Sequence, residues 1–294
     1  MFALRLIVYN ETFAVVMPEK KEMKAARRQL QRSDGACIVW HSEADAGRSA
    51  EEVAAAFYLF LDTICRNRRV VTIWADNCAG QNKNWALISV MLQVVNSPLN
   101  GIQTLTFKFF EPGHTAMVAD AVHQSISKNI RATERLEDFS DYVAAVEATG
   151  MKCIKMSPGN NMHKMEDGIS KAKLKRLSAD DERPYLARLK VISVRRGSEL
   201  VFTKTSIGDN SYKAYDLTMT TFDPTEQPEL LPASKKPGAP GKATDVLRSI
   251  APHMRSHKRV FWEELVEQST RNPKGDKRMP PGRSPLGRKK RKAS

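Results

Sequence analysis

Cysteine is scarce in this chain and poorly placed for stapling. Cys37, Cys65, Cys78 and Cys153 stand far apart with no C-x-x-C pair. That spacing speaks against a zinc ribbon and against a dense disulfide framework, and for a reduced intracellular compartment. Long apolar runs are missing too. The longest, "VAAAFYLFLDTIC", carries Asp62 and falls short of the roughly 20 apolar residues a membrane-spanning helix needs. The opening "MFALRLIVYN" lacks the apolar core and cleavage site of a secretory signal. There are no internal repeats. A soluble, non-secreted protein with no membrane partner is expected.

What the chain does have is positive charge in one place. Its 294 residues carry a formal charge of +14, and the last 24, from Arg271, hold ten Lys/Arg against the single Asp276. The rest carries 37 basic and 32 acidic side chains, a mild +5. The run Arg288, Lys289, Lys290, Arg291, Lys292, flanked by Pro and Gly, reads as a nuclear-import address or a nucleic-acid patch rather than a merely solubilising tail. An import receptor and nucleic acid, DNA before RNA, are the partners this implies, because cationic tails release counterions from a polyphosphate.

Along the chain, Leu4 to Val16 and Ala36 to Trp40 have strand composition, separated by a basic, helix-prone stretch over 19–32. Ser49 with Glu52 three residues on forms a capping box, and the helix it starts runs to about Arg66. "VVTIWA", Val70 to Ala75, is nearly all apolar, which predicts a strand covered on both sides. Helices are predicted over Asn82–Val95, Val118–Asn129 and Asp138–Thr149, with an alternating strand around Thr106 between the first two. Beyond Gly150 come short strands at Lys152–Met156, Leu189–Val194 and Leu200–Thr205, around a basic helical piece "SKAKLKRL". Residues 223–242 are Pro-rich and read as a linker, followed by a small helical unit over 243–270 and a disordered basic tail over 271–294. The order predicts an α/β chain: a ribonuclease-H-like mixed sheet with helices on both faces over 1–150, then an α+β extension over 151–222.

In such sheets, sites form at the carboxyl ends of strands, where Asp76 ends the "VVTIWA" strand. Asp120 falls early in the helix after the next strand, with His123 on the same face, and His114 lies in the turn leading in. Acids in these two positions could hold Mg²⁺ or Mn²⁺ for two-metal phosphodiester chemistry, with the ions about 3.5–4 Å apart. An Asp ending a strand before a helix is more often a turn or cap residue than a ligand, and "NCAGQNKN" reads as a polar turn as well. A zinc site of Cys78, His114 and His123 matches no established spacing.

Five blocks carry a resemblance: "YN" at Tyr9–Asn10, "WHSEADAGRSAEEVAAAFYLFL", "DNCAGQNKN", "FEPGHTAMVADAVHQSI" and "HKRVFWEEL". Together they resemble a transposon-derived domain family of unknown function, itself similar to the ribonuclease-H-like catalytic region of DDE-type transposases. That resemblance implies Asp76 as the second acid and Asp120 as the third. Asn77, Gln81, His114 and His123 would support them. It also implies an earlier strand bearing the first acid. Phe2 to Ile7 supply none, and Glu11 and Asp34 are poor substitutes by position. The expectation is a nuclear, transposable-element-derived protein that binds nucleic acid and whose catalytic site is degenerate. Active metal-dependent cutting is the alternative if the chain is a fragment, and a protein-interaction scaffold is the third reading.

Overall fold

A computed structural model describes residues 7–16, 36–78, 82–110, 118–165, 184–217, 223–233 and 240–270. Two mixed sheets share the α/β architecture. In the first, β1 (Val8–Ala14) runs antiparallel to β2 (Ala36–Ser42), and β2 runs parallel to β5 (Lys152–Lys155). The second has the order β3-β4-β6-β7-β8. In it β3 (Val70–Ala75) and β4 (Thr104–Phe109) are parallel, while β6 (Val191–Arg195), β7 (Leu200–Lys204) and β8 (Lys213–Asp216) continue antiparallel. The single sheet expected from the sequence is therefore two among the described residues, with β1 and β3 each at an end of its strand order.

Helix α1 (Ala50–Thr63) connects them. Ser49 accepts at its N-terminus and Glu52 reaches back to the Ser49 N–H at 2.5 Å, so the capping box is formed. Its apolar face packs on β1, β2 and the next helix, α2 (Trp85–Asn96), which Asn84 caps by accepting from Leu87 N–H at 2.8 Å. Alternation does the rest. Leu105, Phe107 and Phe109 of β4 point under α2 into a core that also holds Phe13, Val39, Leu61 and Ile192. The other face of the first sheet, Ile38 and Trp40, is covered by α3 (Val118–Ala132) and α4 (Phe139–Glu147) through Ile126, Phe139 and Val146. That sheet has helices on both faces.

The second sheet does not, among the described residues. β3 was expected to be covered on both sides, yet Val70 is 69% exposed and Thr72 is exposed as well. The reason is positional. β3 is an edge strand, and only Val71, Ile73 and Ala75 turn toward the core.

Two features of the later chain differ from a free linker and tail unit. Residues 223–233 lie strapped to the body: Leu231 N–H donates to Met162 O, Gly159 N–H to Leu231 O, and Tyr58 Oη to Gln227. Helices α5 (Pro240–Ser249) and α6 (Ser256–Thr270) then dock through Trp262, Val246 and Met254 against Ala44, beside the end of β2. The predicted pieces 19–32, "SKAKLKRL" and 271–294 lie outside the described residues. No described helix is long and apolar enough to cross a membrane.

Candidate functional site

Asp76 follows directly on β3, where the strand ends and the backbone must turn. Its Oδ1 accepts from Cys78 N–H at 3.2 Å and from Asn82 Nδ2 at 2.5 Å. This is the local side-chain-to-backbone bonding by which aspartate fixes a turn. The turn reading of Asp76 is thus real, and it occupies one carboxylate oxygen. Oδ2 has no hydrogen bond among the described residues.

The amide-rich turn has a centre that sequence inspection passed over. Lys83 is buried, its Nζ donates to Asn77 Oδ1 at 2.5 Å, and it stands 4.6 Å over the Phe109 ring. Burial, with the nearby Lys190 charge, lowers its pKa from 10.5 to about 8. Beside it Asn82 Oδ1 is buried with no partner among the described residues. The signal was present as a lysine within a polar turn that enters a largely apolar, buried helix, a place where its stem has to be buried.

A cavity of about 300 Å³ runs beside β1. It is lined by consecutive β1 residues, including Tyr9 and Glu11, by His41 of β2, by Arg48 and Glu52 at the start of α1, and by His123 of α3. His123 therefore joins a site, but with Glu11 and His41 as co-lining groups. The Tyr9 and His41 rings lie tilted to each other with centres 5.0 Å apart, and His41 Nε2–H donates to Gly47 O at 2.8 Å. Burial lowers the His41 pKa below the ordinary histidine value.

By position Glu11 was set aside as a substitute acid, yet it lies within electrostatic reach of Asp76. Burial raises its pKa from 4.5 to about 7, with Arg48 opposing and Asp76 adding to the rise. Asp120 stands exposed in the first turn of α3. His114 and Gln81, and the cluster Arg288 to Lys292, lie outside the described residues. Among the described residues no group of three or more His, Cys, Asp or Glu side chains is arranged to hold a metal ion. A hard divalent cation prefers six or more oxygen ligands, and two neighbouring carboxylates are a partial set for it.

Fold and site together define a mixed α/β protein with a carboxylate-bearing strand end and an adjoining acid, histidine and tyrosine cavity. Compared with protein-family models, curated proteins and solved structures, the chain matches none.

Proposed function

We propose that this is a nuclear nucleic-acid-binding protein of transposase descent, built on a ribonuclease-H-like sheet whose carboxylate site has lost full catalytic competence. The observation that carries it is the arrangement around Asp76. An antiparallel β1–β2 pair, the crossover helix α1 and the parallel β3–β4 pair follow one another, and Asp76, directly after β3, adds to the raised pKa of Glu11, which lines a cavity with residues of three of the blocks quoted above. That succession of strand directions is what a ribonuclease-H-like sheet uses. The +14 charge, concentrated after Arg271, supplies the electrostatic attraction. Mg²⁺ or Mn²⁺ would be drawn to Asp76 Oδ2, with Glu11 and Asp120 as the remaining acids.

The test is binding of the whole chain to a labelled DNA duplex between 50 and 200 mM salt. Affinity is expected to fall steeply with salt, and the slope to flatten when Arg288–Lys292 are replaced by alanine. No binding at 50 mM salt overturns the reading. In parallel, Mn²⁺ is expected to raise the melting temperature of the wild type and not that of Asp76→Asn. An equal rise in both removes Asp76 from the metal reading.

A further inference from the structure

Three arginines in four residues, Arg66, Arg68 and Arg69, lie in the turn between α1 and β3. Most surface arginines are simply solvated, and one of these has a local duty. Arg66 serves the C-terminus of α1, where its Nε donates to Asp62 O at 2.9 Å and its Nη2 pairs with the Asp62 carboxylate at 2.8 Å. Arg68 and Arg69 have no such duty. Both are exposed, and neither side chain makes a hydrogen bond or an ion pair among the described residues. Their turn is nonetheless fixed. Gly101 N–H donates to Arg66 O at 2.6 Å, Gln103 N–H to Arg69 O at 2.7 Å and Arg68 N–H to Cys65 O at 2.8 Å.

The loop that holds the turn is itself clasped by Arg196. Its guanidinium donates to the carbonyls of Ser97, Asn100 and Ile102, and its backbone N–H donates to Gln103 O at 2.9 Å. The neighbouring Arg195 is exposed. Its guanidinium lies 4.3 Å over the Phe202 ring and has no hydrogen bond or ion pair among the described residues. Register sets Arg195 beside Thr104 and Thr104 beside Val70, the residue after Arg69. Two strand spacings, roughly 10 Å, thus separate Arg195 from the start of β3. The acids nearest to these arginines in sequence are Asp62, already paired, and Glu199, in the turn between β6 and β7.

We infer that this end of the second sheet, through Arg68, Arg69 and Arg195, binds the phosphate backbone of a DNA duplex. The inference rests on the nucleic-acid reading above and gives the folded body a contact of its own, apart from the basic tail. Each guanidinium presents a planar fork that matches two phosphate oxygens. Three of them spread over roughly 10 Å suit an anion of repeated charge rather than a single phosphate. Because the backbone of the turn is already hydrogen-bonded, binding has little chain to order. Residues 66–69 and 101–103 include no aromatic ring, so they offer no platform for the stacking that holds a single strand. A duplex conceals its bases and presents its phosphates, which is what such a surface can meet. The contact lies at the far end of β3 from Asp76, about 20 Å away along the strand.

The experiment uses the full chain and a labelled duplex of about 20 base pairs, titrated between 50 and 200 mM salt. R68Q/R69Q removes two charges from exposed positions and leaves the backbone bonds of the turn in place. It is expected to bind about tenfold more weakly at ~100 mM salt and to lower the slope of log affinity against log salt by about 2, near 0.9 for each phosphate contact. K128Q/R131Q removes the same charge from exposed residues of α3 and is expected to stay within about twofold of the wild type. A second readout needs no variant. Mass spectrometry of the phenylglyoxal-treated wild type should show the duplex shielding Arg68, Arg69 and Arg195 while Arg131 stays reactive, and it decides alone if R68Q/R69Q does not fold. If R68Q/R69Q binds as the wild type does, if both pairs lose equally, or if the three arginines are not shielded, the surface is wrong while the nucleic-acid reading stands. If the wild type does not bind the duplex at 50 mM salt, both fall.

Discussion

Glu11 shows how a single side chain can make stability depend on pH near neutrality. Its carboxyl has a pKa of about 7 in the folded protein against an ordinary 4.5, chiefly because burial disfavours the charged form. Between those values the folded state keeps a proton that the unfolded state has released. The stabilisation is therefore fully present below pH 4.5 and is lost as pH rises through about 7. The interval corresponds to about 3 kcal/mol. Urea midpoints of the wild type should decline across that range more steeply than those of Glu11→Gln, and parallel declines would sink the assignment. Asp76 adds to the rise, so Asp76→Asn should move the decline to lower pH. The same residue also closes a turn. Asp76→Ala leaves the Cys78 N–H and the Asn82 amide without their acceptor and should cost about 1–3 kcal/mol. Asp76→Asn retains a side-chain acceptor for the Cys78 N–H and should cost less, as denaturant titration of the pair would reveal.

At the scale of elements, local chemistry was the legible part. The Ser49–Glu52 capping box, the alternation of β4 and the starts of α3 and α4 stand in the structure where residue types place them. What the sequence could not express was which strand borders which. "VVTIWA" has the composition of a central strand, yet lies at an edge, because edges are decided by partners and not by the strand itself. β8, "KAYD", is too short and polar to announce itself and exists through its pairing with β7. Of the candidate site, Asp76 was legible as a strand-ending acid; Glu11 and Lys83 were not, because their pKa values come from tertiary burial.

The docking of α6 on α4 is likewise a long-range fact. Lys258 Nζ meets Asp138 Oδ1 at 2.9 Å and Asp141 Oδ1 at 2.8 Å, the two acids of the α4 capping box, while Trp262 Nε1–H donates to Glu137 O at 2.8 Å. Removing the Lys258 cation leaves Asp138 without its ion pair, while Asp141 keeps only Arg255 at 3.3 Å. Lys258→Met should therefore cost about 3 kcal/mol and speed proteolysis between α5 and α6. Unchanged cleavage and midpoint would show that the apolar contacts of Trp262 alone hold the unit. A tighter constraint sits at Gly159, whose φ is +75° and where a Cβ would come within 2.9 Å of the Ala233 Cβ. Gly159→Ala should loosen the strap formed by residues 223–233 and destabilise by about 1–3 kcal/mol. Hydrogen exchange at the Leu231 amide, which donates to Met162 O, is the direct readout.

On the scale of the molecule, two sheets that share no strand pairing among the described residues are joined by one core. No hydrogen-bond ladder joins β1 to β3, so the coupling has to pass through side chains. Phe57 of α1 provides it. Its ring lies edge-on to Phe13 of β1 at 5.1 Å and tilted to Phe107 of β4 at 5.3 Å, so one side chain touches a ring from each sheet. Phe13 also stacks on Phe60 at 3.8 Å, fixing β1 to the same helix. The shared core that results predicts cooperative opening, with amides of β2 and β4 exchanging at one common free energy in the wild type. Phe57→Ala should cost about 3–5 kcal/mol through lost burial and the cavity left behind. More tellingly, it should separate the two sheets, because it cuts the ring contact common to both. Exchange measured by mass spectrometry would then show β2 and β4 amides opening at different denaturant concentrations. A uniform loss of protection in both sheets, with one common midpoint, would mean that α1 couples them through its whole face, and that Phe57 contributes only its own burial.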